Sequence, residues 1–116
     1  MPISKLKPIT VPGERIYELL RTDEFSDALA FIERSVEHWH KRTHERYIVI
    51  DGNGFVSLDD WKLPVDPGCI IDIKPKTDHY AAGKNGPLCV YVICVPPWTP
   101  EDHHLTDESG NKPASQ

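Results

Sequence analysis

The sequence predicts an all-β protein, and three observations carry that expectation. Eleven prolines and seven glycines cut 116 residues into short segments, which suits many short strands joined by turns better than a few long helices. The run ERYIVIDGNGFVSL sets Asp51-Gly52-Asn53-Gly54 between stretches rich in β-branched and aromatic residues, the pattern of a hairpin turn. Pro67-Gly68 before CIIDI, Asn85-Gly86-Pro87 before LCVYVICV, and Pro96-Pro97 after it repeat the alternation of strand and breaker.

In chain order, Pro2, Pro8 and Pro12 ahead of Gly13 mark residues 1–14 as an extended arm of the kind that can cross to a neighbouring subunit. Residues 15–98 then form the body, and 99–116 a polar tail whose last residues, SGNKPASQ, are expected to be mobile. No repeat or low-complexity segment divides the chain, so residues 1–116 are read as one domain. The stretch 14–47 contains neither Gly nor Pro, and ALAFIERSVEHWHKR also suits a helix capped by Ser26 or Asp27. The two readings differ in what they do with His38 and His40: a helix sets them about 200° apart, whereas a strand puts both on one face. Further on, Lys74 to Asp78 read as a loop leading into His79-Tyr80-Ala81.

Composition narrows the partners. Apolar residues make up 39% and charged residues 27%, enough for a core and too little charge for a disordered chain. A net charge of −5 gives no general attraction to nucleic acid or anionic lipid. No apolar run approaches the roughly 18 residues of a membrane span, and the start lacks a secretory pattern, so a cytoplasmic location is expected. Cys69, Cys89 and Cys94 are odd in number and lack a CxxC spacing, which speaks for free thiols. Cys89 and Cys94, five apart on one strand, would face opposite sides of it.

The chemistry concentrates in HWHKRTHERYIVIDG. His38 and His40 share a strand face, and Glu45 returns after a corner, so two imidazoles and a carboxylate can converge on one cation. His79, in the loop beyond a strong strand, is the best candidate for a further donor. Such a set suits one divalent ion, Zn, Fe, Mn or Ni, without separating these metals.

These residues resemble the cupins, whose first motif reads H-x-H, three or four residues, E, six residues, G. His38, His40, Glu45 and Gly52 occupy its four positions. The second motif is followed loosely by Gly68, Pro75 and His79: Thr77 stands where glycine is usual, the proline-to-histidine gap is one residue short, and Gly83 replaces an asparagine. The ending CVPPWTPEDHH is similar to that of small RmlC-like cupins related to sugar-phosphate isomerases. The resemblance spans about residues 28–98. It implies a jelly-roll barrel, the double-stranded β-helix, with a metal held in its mouth by three histidines and a glutamate, and a homodimer formed through edge strands.

Neighbouring residues are weighed by strand parity. His44 has the opposite parity to Glu45 and is read as a rim residue. Tyr47 and Val49 should point inward, where Tyr47 either packs with a satisfied hydroxyl or contacts substrate and moves a proton. Arg34 shares the parity of His38 and could reach an anionic substrate. Trp39 faces the other way, into the core or a dimer contact, and His103 and His104 fall in the solvated tail or over a partner's mouth. The expected activity is metal-dependent isomerisation or elimination on a small oxygenated metabolite such as a sugar acid or sugar phosphate, with Tyr47 or Glu45 moving the proton. An Fe(II) dioxygenase and a non-catalytic metabolite- or metal-binding module are the alternatives.

Overall fold

The computed structural model describes residues 2–106; the expectations for the chain end from Asp107 to Gln116 lie outside the described residues. The strands are β1 (Ile9–Val11), β2 (Glu14–Arg21), β3 (Ser26–Ile32), β4 (His38–Trp39), β5 (His44–Asp51), β6 (Gly54–Leu58), β7 (Trp61–Val65), β8 (Ile70–Ile73), β9 (His79–Gly83), β10 (Leu88–Val95) and β11 (His104–Leu105). Short 3-10 turns at Ile3–Lys5 and Pro100–Asp102 are the helical elements among the described residues.

Two antiparallel sheets form, in the orders β1-β2-β3-β10-β5-β8 and β11-β4-β9-β6-β7. Their facing sides hold the core, with Ile32, Val49, Val56, Ile73, Leu88 and Val90 almost wholly buried. Along β5 burial alternates strictly from His44 to Val49 before the strand turns outward at Ile50, as a sheet with one wet face requires. This is the all-β, jelly-roll type of barrel expected from the breakers and the alternation.

The helical reading of 28–42 fails. Ala28, Ala30 and Ile32 of β3 lie opposite Val92, Val90 and Leu88 of β10, while Phe31 on the other face meets the Tyr17 ring at 5.9 Å. Period two gives both faces of the segment partners. Tertiary pairing thereby overrides its helical propensity.

The Asp51–Gly54 segment is a turn but not a hairpin. β5 already lies between β10 and β8, so the chain crosses to the second sheet and pairs β6 with β9 and β7. Gly52 makes the crossing possible: its φ is +85°, and a Cβ there would sit 2.6 Å from the Pro87 carbonyl oxygen. A hairpin follows one strand later, joining β6 to β7 through Asp59 and Asp60, both at positive φ, the geometry of a two-residue type I′ turn.

Arm and tail both contribute strands. Ile9–Val11 pairs with β2 of the same chain, and His104–Leu105 pairs with β4. Parity across residues 33–37 does not hold either, because the chain leaves β3 and passes to the other sheet through one bridge, Arg34 to Ala82.

Candidate metal centre

Both sheets contribute to the site, β4 and β9 from one and β5 from the other. His38 on β4 is the register partner of His79 on β9, which places the two imidazoles side by side. The chain continues through His40, turns at residues 41–43 and enters β5, whose second residue is Glu45. One donor atom from each of His38, His40, Glu45 and His79 lies within 4.8 Å of the others, and all four residues are buried.

The backbone sets the tautomers. Nδ1 lies 2.8 Å from the Val36 carbonyl oxygen in His38, 2.8 Å from that of Asp102 in His40, and 2.9 Å from that of Thr77 in His79. A carbonyl only accepts, so each Nδ1 carries the hydrogen and each neutral ring turns the Nε2 lone pair toward the cluster. Nε2 of His40 and of His79 stand 3.3 and 2.9 Å from Oε1 of Glu45. None of these three buried atoms makes a hydrogen bond of acceptable geometry. Lone pairs facing a carboxylate oxygen at that range repel unless a proton or a metal cation lies between them, and Glu45 raises the His40 pKa accordingly. The residues therefore fit a divalent ion bound by three imidazoles and a carboxylate.

The remaining oxygen is occupied, since Cys94 Sγ donates to Oε2 of Glu45 at 3.4 Å. Burial and the Glu45 charge push the Cys94 thiol far up, so it stays protonated as a donor. Cys94 faces inward and Cys89 outward, as their spacing required. In the metal-free protein burial pushes the Glu45 carboxyl up, but positive charge and N–H donation from the facing rings, His40 first, outweigh it and hold the group well below the usual carboxylate range, a place a bound cation would fill instead. His38 is held well below the usual imidazole value, by burial first and then by the neighbouring rings.

Asp102 supports the arrangement, and sequence reasoning missed it. Its carboxylate accepts the backbone N–H groups of Lys41, Arg42 and Thr43 at 2.6, 3.0 and 3.2 Å, and the Thr43 hydroxyl at 3.4 Å. Its own carbonyl takes the His40 Nδ1 hydrogen. The same short segment places His103 against His38, rings 4.3 Å apart and 14° from parallel, and stacks His104 on Trp39. His103 and His104 are thus packed on their own barrel. Burial, aided by the His40 ring, pushes His103 down to about 4. The loop before β9 is tied in as well, through the Lys76 N–H to the His40 carbonyl at 2.6 Å. Gly83, in place of an asparagine, follows from space: a Cβ there would lie 1.9 Å from the Gly86 carbonyl oxygen.

A cavity opens beside His38 and Glu45. Its walls include Ile9, Val11, Ile16, Ala30, Val92 and Trp98, and its polar lining includes Glu14, Glu18, Tyr47 and His103. Tyr47 points inward as its parity requires, with burial and the Glu45 charge raising its hydroxyl well above the ordinary value. Arg34 does not reach the cavity: it is exposed, with its guanidinium 4.9 Å over the Tyr80 ring, because the break in strand parity turns it outward. His44 is exposed.

Glu14 is the second residue missed. Assigned to the arm, it opens β2 and shares its inward face with Ile16, a placement that carrying the period-two pattern back through residues 14, 16 and 18 would have revealed. Burial, reinforced by Glu45 and partly relieved by His40, pushes its carboxyl up to about 7. An unfolded chain releases that proton near 4.5, so the folded protein holds more protons between the two values and loses stability as pH rises through that window. In the metal-free protein, Glu14→Gln is expected to raise stability at about pH 8 by up to about 3 kcal/mol and to change it little at about pH 4. Urea denaturation at both values checks this, and equal differences at the two would contradict it.

Layers and register together give a small cupin-like β-barrel fold. The fold superposes on Streptomyces Pac13, a nucleoside dehydratase also solved with uridine, at a TM-score of 0.78 and 18% identity, covering 90% of this chain and 87% of that one. It also superposes on KdgF from Halomonas at 0.72 and 20%, covering 80% and 88%, and on a protein from Planctomyces limnophilus at 0.79 and 21%, covering 90% and 94%. No protein-family model matches the chain. The chain belongs to the same family as the uncharacterized protein MJ1618 of Methanocaldococcus jannaschii, to which it is 31% identical over 113 residues, 89% of this chain and 90% of that one.

Proposed function

We propose that the protein is a metal-dependent enzyme acting on a small oxygenated metabolite, with His38, His40, Glu45 and His79 as the ligands. The observation that carries this reading is the set of buried, unpartnered atoms on His40, Glu45 and His79 that face one another. A divalent ion bound there supplies Lewis acidity to a carbonyl or hydroxyl oxygen.

The chain's own residues divide the remaining work. Glu45, held by Cys94 on one oxygen and directed at the cluster with the other, is a ligand rather than a mobile base. Tyr47 keeps its proton and can donate a hydrogen bond to a substrate oxygen. Glu14 lines the cavity beside the cluster, where its carboxyl can exchange a proton with a substrate, and the apolar walls exclude water. Proton transfer of an isomerase or lyase type fits these groups, and Pac13, a dehydratase, shows that a barrel of this shape can host elimination.

The test is to load pure protein with Zn, Mn, Ni or, without air, Fe(II), and follow turnover of hydroxy-carbonyl metabolites by NMR and oxygen uptake by electrode. Turnover without oxygen consumption is expected. Metal-dependent oxygen uptake would favour the dioxygenase reading, and ligand-induced thermal stabilisation without turnover a binding module. The homodimer belongs to the same proposal. Its candidate face is the outer side of the six-stranded sheet, where register aligns Tyr17, Leu29, Tyr91, Ile48 and Ile70 in one row, and light scattering reads the mass.

A further inference from the structure

The cavity beside the candidate metal centre has an uneven charge inventory. Among the described residues no lysine or arginine lines it. Arg21 borders the lining through Glu18 and Trp98, holding both carboxylate oxygens of Glu18 at 3.0 Å and donating to the Trp98 carbonyl, so it is already committed. Arg34, which the sequence offered as an anion contact, packs over Tyr80 outside. What remains inside is the carboxyl groups of Glu14, Glu45 and Asp27, the last also accepting the Tyr91 hydroxyl, together with the Tyr47 hydroxyl, imidazoles, and the walls of Ile9, Val11, Ile16, Val92 and Trp98.

A divalent ion on three neutral imidazoles and Glu45 keeps one positive charge, and the carboxyls of Glu14 and Asp27 on the cavity wall are available to balance it. An anionic substrate would then enter a weakly polarisable space with no partner for its charge and a carboxyl facing it, which is costly. A pair of adjacent oxygens at the ion and an apolar remainder along the walls would meet neither problem.

Resting on the metal-centre reading above, we infer that the cavity selects an uncharged, partly apolar molecule carrying two adjacent oxygens and rejects anions such as sugar phosphates and uronates. Glu14 is the specificity-determining residue, acting on the charge of whatever enters.

Three hydroxamates that share one bidentate oxygen group test this by their tails: acetohydroxamate, butanehydroxamate and the monohydroxamate of succinate. Each is titrated into the Co(II)-loaded protein, and the change in visible cobalt absorption reports binding. Butanehydroxamate, with its propyl tail, is expected to bind at least tenfold more tightly than the carboxylate-tailed probe, with the gap narrowing several-fold in Glu14→Gln. Equal or tighter binding of the carboxylate-tailed probe would overturn the inference while leaving the metal centre standing. So would a cobalt spectrum that no hydroxamate perturbs, because no oxygen pair would then reach the ion from the cavity. Failure of the protein to take up Co(II) at all would instead overturn the metal-centre reading, and this inference with it.

Discussion

His40→Ala is expected to abolish stoichiometric metal binding, lowering affinity by well over a hundredfold, while the β signature in circular dichroism persists. His40 is 2% exposed, and its Nε2 is one of three buried atoms of the cluster that face one another without a hydrogen bond. Removing the ring takes away one donor of four and opens the cluster to water. The remaining His38, Glu45 and His79 then form an incomplete set whose oxygen and nitrogens can rehydrate rather than hold an ion. Competition against a chelator of known affinity, run on native and variant protein, checks this. Affinities within a few-fold of each other would mean that His40 is not a ligand.

Asp102→Ala is expected to produce the second largest effect, although Asp102 touches no metal. Its carboxylate is the common acceptor for three consecutive backbone N–H groups and a threonine hydroxyl in the corner between His40 and Glu45. Burial would raise its pKa, but those N–H bonds outweigh burial and hold it low, so the group serves as an anion. Alanine leaves the buried Thr43 N–H and hydroxyl without a partner, at a cost of about 1–3 kcal/mol each. It also frees the segment whose carbonyl sets the His40 tautomer. We expect metal affinity to fall about 10–100-fold, with Asp102→Asn, which retains one acceptor oxygen, falling between. Chelator competition and denaturation on the same samples separate the two consequences. An unchanged metal affinity in Asp102→Ala would show that the corner holds itself.

Much of this architecture is legible in the chain because it follows from local rules. Strand parity alone places His38 and His40 together, sets Glu45, Tyr47 and Val49 inward and His44 outward, and separates Cys89 from Cys94. The errors arise where local pattern meets long-range topology. Asp51-Gly52-Asn53-Gly54 carries hairpin chemistry, but whether a turn closes a hairpin or changes sheets depends on β10 and β8 occupying both sides of β5. Arg34 was assigned by counting residues through a stretch that is not a continuous strand. Asp102 and His103 were read as tail because nothing in PEDHH signals that a carboxylate will cap a corner some 60 positions earlier in the chain. Glu14 stands at the end of the expected arm, whereas its parity with Ile16 sets it on the inward face of β2.

The central claim is that one divalent ion sits among His38, His40, Glu45 and His79. Anomalous diffraction from crystals of protein purified without chelator tests it most directly. One anomalous peak is expected, at about 2.0–2.2 Å from Nε2 of each of the three histidines and from a Glu45 oxygen. Well-ordered density with no anomalous scatterer there after incubation with Zn, Mn, Fe and Ni, or a scatterer bound elsewhere on the chain, would contradict it.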